Sequence, residues 1–586
     1  MRHAREWPRT RAAGCLVVVL LASCGRALPP PRERVVQPVQ EYFLDFRGKS
    51  PFRAITHIGS DYGPMGTAES RLAWRGGRIE AALGEGQWAG MWHSLEGLAR
   101  ERDRTLDFAR CYPRFIRPEA QPRCVGVVVR AQGTGPFEVN IKSEADEVIW
   151  KRRTPLDAAD EVREIVFDCD PAALREAKVL SWRAEGEGRV SVDFIGLALE
   201  PPRMPFAKRV FLTSYAKLAR CYEQTDGVVK DRAHAPHGAT SGVPASGMFC
   251  LATAAAWQLG MVDRAFAEET LHAVHATVGS LPRAAGLLPH FIRRRGKRYE
   301  RCPGSEFSTV DTSLYYHGML VAAEMLDDRA LVDGLTREIK AIDFGRLRNA
   351  DGYVLHGLRG DGRTPIPHAW RGWGGEAALV LLVERMAAGD AARLKMAGSG
   401  RVFQGRGFIA EVQSLFYPHF SQDRPDAVSG VNWLAARRAL LAEQMEALPR
   451  DSAAARLGIY GLSAGEGPRG VGYVAQGTRT RAKADLIHPH YFLMSAALRE
   501  PGEVYAVLRA MERRGLFPPW GMVENVKTDL SEYLPMLGSL NAAFEALAAY
   551  HLWAKAAGQP DAIYEAARRC PLLADAIRAF YPPATP

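Results

Sequence analysis

Glu376 follows Trp370 and Trp373 and opens an apolar run, Ala-Ala-Leu-Val-Leu-Leu-Val. A carboxyl desolvated in such a setting titrates high and stays protonated near neutrality, which is what a general acid needs. A first-turn Glu held by the helix dipole would give the same pattern. Hydrolysis of a glycosidic bond with inversion also needs a carboxylate that activates water from the other face, roughly 6.5–9.5 Å away. That partner must come from a different loop. Glu524, in Trp520-Gly-Met-Val-Glu524 between two predicted helices, is preferred over Asp423, which ends the aromatic stretch from Phe416. Glu306 and Asp311 flank another predicted helix start. They read either as ligands to sugar hydroxyls or as ordinary capping chemistry with Ser308 or Thr309.

The remaining candidates lie on long loops, at 223–244, 279–308, 345–373 and 450–487. Loops of this length in a compact domain are usually functional. They and the aromatic stretch at 416–423 share a bias toward Trp, Tyr, His, Arg and carboxylates. His368, Trp370, Arg371 and Trp373 fall in one, and Tyr417, His419 and Gln422 in another. Aromatic faces cover the C–H faces of sugar rings while the polar groups bind hydroxyls, so a carbohydrate is the expected ligand; capping of a large core is the alternative. No G-x-S-x-G elbow, Walker loop or H-E-x-x-H helix is present. His488-Pro-His490 is the tightest histidine pair, but nothing else with ligand spacing adjoins it. No metal and no cofactor are expected.

The elements that must position these groups change character near residue 200. From 40 to 200 the period is two, in short stretches at 124–130, 137–142, 147–151, 164–168, 179–183 and 190–195. This predicts an antiparallel β-sandwich, jelly-roll-like, as an accessory domain. Its most aromatic piece, Gln87-Trp88-Ala-Gly-Met-Trp92-His93, reads as a buried Trp pair or a sugar platform. A Pro-rich linker at 201–206 follows. From 207 to 586 the period is helical, with helices expected at 207–222, 245–260, 264–278, 309–326, 328–342, 374–388, 430–448, 488–498, 502–514, 535–556 and 560–580. Several are apolar all round and must be buried on both sides, which suggests an inner and an outer ring: an all-α (α/α)6 toroid.

In order, Gly304-Ser-Glu306-Phe-Ser-Thr-Val-Asp311, His368-Ala-Trp-Arg-Gly-Trp373-Gly-Gly-Glu376, Gln413-Ser-Leu-Phe-Tyr-Pro-His419-Phe, Tyr460-Gly-Leu-Ser-Ala-Gly-Glu466-Gly-Pro468 and Trp520-Gly-Met-Val-Glu524-Asn resemble the glucoamylase-like (α/α)6 domain. That family includes bacterial endo-β-1,2-glucanases and the hydrolase-like part of cyclic β-1,2-glucan synthases. The resemblance covers about 207–575. It implies an endo-acting glycoside hydrolase, with β-1,2-glucan as the best single substrate, Glu376 at the acid position, and Glu466 and Trp520 among the substrate contacts. The chain departs from the family where Asp is usual, at Glu466 and in Glu524-Asn-Val, and carries Ser539-Leu-Asn541-Ala where Gln-Gly-Pro is usual. A glycan-binding protein that has lost the base is the non-enzymatic alternative, and a polysaccharide lyase on the same toroid a lesser one.

Arg2, Arg5, Arg9 and Arg11 precede the apolar run Leu16–Ala22 and then Leu21-Ala-Ser-Cys24, which resembles a lipobox. Residues 1–23 are therefore expected to be a signal peptide, Cys24 a lipidated N-terminus, 24–39 a tether, and the body exported to the cell envelope of a bacterium. The lipid is the only membrane attachment expected. The remainder of the 586 residues is too long for one ordinary domain. With 47% hydrophobic and 24% charged residues it is neither disordered nor a multi-span membrane protein. The +10 net charge is spread out, without a basic block, so nucleic acid is not an expected partner. Cys111 and Cys124 are the closest pair for a disulfide; buried free thiols are the alternative.

Overall fold

The computed structural model describes residues 35–38, 44–45, 62–67, 71–75, 78–94, 112–143, 145–169, 177, 179–232, 240–372, 374–397, 402–467, 473–480, 485–519, 521–530, 533–534 and 538–583. The expectations for the signal peptide, Cys24, Trp373, Trp520 and a Cys111–Cys124 disulfide lie outside the described residues or side chains.

Among the described residues, the N-terminal part is an antiparallel sheet of ten strands: β1 (Val35–Pro38), β2 (Leu44–Asp45), β3 (Tyr62–Gly66), β4 (Arg71–Arg75), β5 (Arg78–Leu83), β6 (Trp88–Ser94), β7 (Arg123–Lys142), β8 (Val148–Asp168), β9 (Val179–Glu185) and β10 (Gly188–Glu200). The order is β3-β6-β9-β7-β10-β5-β4, with β8 on β7 and both β1 and β2 on β10. The stretches 124–130 and 137–142, which the sequence pattern separates, are two halves of β7. Those at 147–151 and 164–168 are likewise two halves of β8. The Gly and Pro between them bend the strand without ending it: Gly133 has φ 146° and Gly135 φ 98°, and the ladder with β8 shifts register between Ala131 and Gly133. The first half of β7 pairs with β10 and the second with β9. Val127, Val129, Phe137, Val139 and Trp182 fill the buried side.

The C-terminal part is helical: α1 (Phe206–Ala219), α2 (Val243–Gln258), α3 (Arg264–Gly279), α4 (Thr309–Met325), α5 (Arg329–Lys340), α6 (Gly375–Ala388), α7 (Gly407–Glu411), α8 (Trp433–Glu446), α9 (Ala453–Leu457), α10 (His490–Met494), α11 (Pro501–Arg513), α12 (Ser539–Ala557), α13 (Ala562–Arg569) and α14 (Pro571–Phe580). α2, α4, α6 and α12 are buried on nearly every face. α5, α11, α13 and α14 bury one stripe each, as Leu331, Val332, Leu335 and Ile339 do on α5. The single helix expected at 560–580 is two, because Pro571 lacks the N–H to continue the first and starts the second at N1. α7, and α9 within the loop expected at 450–487, are short helices that sequence periodicity does not reveal over five residues.

The segment after β6 ties the sheet side to the helices. Phe115 stacks on Phe266 at 4.2 Å and meets the edge of Tyr222. The Tyr112 hydroxyl donates to the Pro519 carbonyl at 2.7 Å, and Arg117 pairs with Asp263 at 2.6 Å. Among the described residues, no helix is long and apolar enough to cross a membrane.

Candidate active site

Four segments converge at one end of the helical part. The first is the start of α4. Ser308 caps it by accepting the Asp311 amide at 3.2 Å, so the capping reading holds for the serine while Asp311 itself is buried in the first turn. His290, immediately before the hairpin Phe291–Arg295/Arg298–Arg301, places Nδ1 2.9 Å from Glu306 and 3.5 Å from Asp311. Burial alone would depress the imidazole, but the charges of Asp311 and Glu306 outweigh it and push it up to about 9. Burial raises Asp311, against the opposing pull of His290 and Ser308. It also acts to raise Glu306, but the hydrogen bond from His290 overrides it and holds this carboxyl low. Their ligand atoms lie within 4.8 Å of one another, a spacing that suits a metal ion. With the imidazole protonated, the same trio is a closed ion triad. The rings of His488 and His490 stand 6.2 Å apart, and His490 Nε2 bonds the Ser463 hydroxyl at 3.0 Å.

The second segment is the start of α6. Glu376 is half-buried, and its carboxyl is pushed up to about 8 by desolvation and by the negative charge of Asp311, with Arg406 opposing. Both influences favour the protonated form of Glu376, beside a second carboxyl. Trp370 is only 3% exposed. Its indole donates to the Thr309 hydroxyl at 2.8 Å and its ring stacks on His356 at 3.9 Å. It braces the start of α4 and is not the sugar platform expected. His368 is exposed beside His356, whereas Arg371 is spent on Asp351 at 2.5 Å and on the Tyr353 ring.

The third is the hairpin Ala464–Glu466/Tyr473–Ala475, and the fourth the loop carrying Glu524. Glu466 binds Arg232 at 2.7 Å and stands across the ladder from Tyr473. Tyr473 is 66% exposed, and its hydroxyl is pushed up by desolvation and by the charges of Glu376, Glu524 and Asp311, with Arg406 opposing. One hydroxyl that senses all three carboxyls places them near one another. Glu524 is 2% exposed. Its Oε1 accepts the Glu466 amide at 3.2 Å and Asn541 Nδ2 at 2.7 Å, while Oε2 has no hydrogen-bond partner among the described residues. Burial raises this carboxyl, and Lys217 opposes the shift.

Asp423 does not join this group. Its carboxylate accepts Asn432, the N-cap of α8, at 2.8 Å, while Gln444 near the other end of α8 donates to Gly405 and Leu462, beside Arg406 and the hairpin. Twelve helical residues put Asp423 about 18 Å from that end. Tyr417, His419 and Gln422 go with it. Tyr417 is buried against Phe420 and His317, the His419 ring lies against Tyr581, and Gln422 accepts from Arg424. This aromatic loop packs against the C-terminal helices. A hollow of about 560 Å³ at Arg264, His272 and Asp328 lies at the far end of α4 and holds none of the clustered carboxyls. Sequence reasoning missed Arg232, Arg406 and Tyr473, which lie outside the motifs. Arg406 in Gly-Arg-Gly and Tyr473 after Gly-Val-Gly carry only a weak signal: a large side chain among glycines.

No family model and no curated protein matches the chain. Among solved structures it is similar to the β-1,2-glucanase from Parabacteroides distasonis, at 10% identity and a TM-score of 0.55, over 94% of this chain and 99% of that one. It is also similar to the endo-β-1,2-glucanase from Chitinophaga pinensis, described with sophorotriose and glucose, at 13% identity and a TM-score of 0.50, over 64% of this chain and 97% of that one. The likeness to glucoamylase-like proteins read from the motifs is thus present in the fold, and the first match spans sheet and helices together.

Proposed function

We propose that this chain is an exported, lipid-anchored glycoside hydrolase that cleaves β-1,2-glucan internally and with inversion. What supports the reading is a desolvated carboxyl, Glu376, on the same side of the helices as a second buried carboxyl, Glu524. Glu376 gives its proton to the glycosidic oxygen as the C–O bond breaks. Glu524 takes a proton from the water that attacks the anomeric carbon from the opposite face. Glu306, Asp311, His368, Glu466 and Tyr473 line the cleft for the sugar hydroxyls and ring faces. The fold shared with two β-1,2-glucanases supports the substrate class. The (α/α)6 closure of the helices and the jelly-roll layering of the sheet belong to the same reading. The closure of the helices is supported by helices buried all round together with others that bury a single stripe.

The burial of Glu524, with Oε1 already bonded twice, favours one second reading: a glycan-binding protein without turnover. Incubation with a panel of glucans, followed by chromatography and polarimetry of the products, separates the two. Sophoro-oligosaccharides of inverted anomeric configuration support the hydrolase; binding without products supports the second reading. Cys24→Ser should release the protein from the membrane fraction, and retention there would refute the lipid anchor.

A further inference from the structure

Behind Glu524 lies a buried ion pair that the proposed hydrolysis does not use. Lys217, on α1, is fully buried, and a buried ammonium is tolerated only when paired and hydrogen-bonded. Its Nζ lies 2.7 Å from Glu545 Oε1 on α12 and donates to the Met522 carbonyl at 2.8 Å. Met522 is two residues before Glu524. The chain just ahead of it rests on the lysine stem. Gly521 has φ 104°, and a Cβ there would come within 2.5 Å of Lys217 Cβ and Cδ, so only glycine lets the loop cross so closely.

The other end of the grip is on the same helix. Asn541 and Glu545 are four residues apart on α12 and so share a face. Asn541 donates to Glu524 Oε1 at 2.7 Å while Glu545 holds Lys217. One helical face therefore fixes the Glu524 carboxyl directly and its backbone through the lysine. The groups facing this cluster are Glu466 with Arg232 and Tyr473 from the hairpin side, and His488 and His490 from the α10 side. Two buried carboxyls share one ammonium here, so the cluster is neutral only when one carboxyl keeps a proton.

We infer that Lys217 and Glu545 are positioning residues that hold Glu524 in place and, through their shared charge, set the pH at which it becomes a base. The inference rests on Glu524 being the base. Removing the Glu545 charge leaves Lys217 opposite Glu524 alone. This favours ionised Glu524 and moves the acid limb of the rate profile to lower pH.

The test uses the full-length protein and a β-1,2-glucan substrate. Lys217→Met should lower kcat at least tenfold with KM changed less than about twofold, and Lys217→Arg should restore part of the loss. Glu545→Gln should shift the acid limb downward. A crystal structure of Lys217→Met should show the Glu524 carboxylate displaced from Asn541. Unchanged kcat and an unchanged pH profile in folded variants that only melt earlier would overturn the inference, leaving a structural staple. So would a Glu524 still bonded to Asn541 in Lys217→Met, whatever the activity. If Lys217→Met does not fold, the limb shift in Glu545→Gln decides. Failure of the underlying reading is distinct: Glu524→Gln would then retain turnover in an otherwise native protein.

Discussion

Arg232 and Glu466 form a 2.7 Å ion pair, and the backbone amide of the same Glu466 donates to Glu524 at 3.2 Å. The hairpin strand that faces the cleft is thus fixed by a cation from the loop before α2. Arg232→Ala leaves Glu466 without its main cation and loosens its hold on Glu524. The expected loss is about tenfold in kcat/KM, equal to about 1.4 kcal/mol, because truncating one member of a partly buried charge pair costs more than losing an exposed one. Steady-state rates on a sophoro-oligosaccharide would show it; an unchanged value would mean that Asn541 and the Lys217 contact hold Glu524 without the hairpin.

With Glu376 as the proposed acid, the alkaline side of the activity profile is expected to follow this carboxyl. A general acid must be protonated, so kcat/KM should fall as pH rises through about 8, where this carboxyl titrates. Glu376→Gln should lose roughly 10²–10⁴ in kcat while still binding glucan, and its residual rate should lack this limb. Stability follows the same group. Between its ordinary 4.5 and about 8 the folded protein binds more protons than the unfolded chain, so this contribution is complete below pH 4.5 and is lost as pH rises through 8. The fall in Tm between pH 5 and pH 9 should be larger in the wild type than in Glu376→Gln, by about 2 °C or more. Equal falls would place the titration elsewhere.

Asp423→Asn should leave kcat and KM within about twofold of wild type, since Asp423 accepts a hydrogen bond from Asn432, the N-cap at the distant end of α8. A large loss would contradict that placement. The misreading is instructive. Phe416 to Gln422 has the residue types of a sugar site, but the same types suit a loop that buries rings against α14, and composition does not say which end of a helix a loop serves. Trp370 was misread for a related reason: an indole beside a catalytic carboxyl can face the ligand or lock the wall behind it, and here it locks Thr309.

What the sequence did carry were features written locally. The period of two followed by 3.6, the apolar helices, the Ser308 cap and the desolvated setting of Glu376 were readable because each depends on neighbours within a turn or a strand. The halves of β7 looked like two strands because Gly133 and Gly135 are turn residues that here only bend one. Arg406, Tyr473, Lys217 and Glu545 were not legible, because each owes its role to a partner far away in sequence, as Lys217 does to Glu545.

Tyr473 is a large exposed aromatic at the cleft, facing Glu376, Glu524 and Asp311 through its hydroxyl. If it covers a sugar face, Tyr473→Ala raises KM roughly tenfold, about 1.4 kcal/mol of binding, with kcat little changed. Tyr473→Phe should keep most of the affinity, since the ring and not the hydroxyl supplies the contact. Calorimetric titration of sophorotriose into Glu376→Gln carrying either change would measure the binding part alone. An equal loss in Phe and Ala would assign the contact to the hydroxyl.

The last prediction links the sheet side of the molecule to the chemistry. Tyr112 donates to the Pro519 carbonyl at 2.7 Å in a buried setting, and Pro519 starts the stretch that crosses Lys217 and ends at Glu524. Tyr112→Phe keeps the ring and removes one hydrogen bond, leaving a buried carbonyl short of a donor at a cost of about 1–3 kcal/mol. Because that carbonyl lies five residues before Glu524, the substitution should lower kcat by a few-fold as well as lowering Tm. Phe115→Ala removes the stack on Phe266, which lies on α3 and not on the Glu524 loop. It should therefore lower Tm comparably while leaving kcat near wild type at 25 °C. The pair of variants separates two roles for the sheet side. A loss of kcat in Tyr112→Phe alone means that it steadies the catalytic loop, and losses of Tm without kcat in both mean that it only covers the helices.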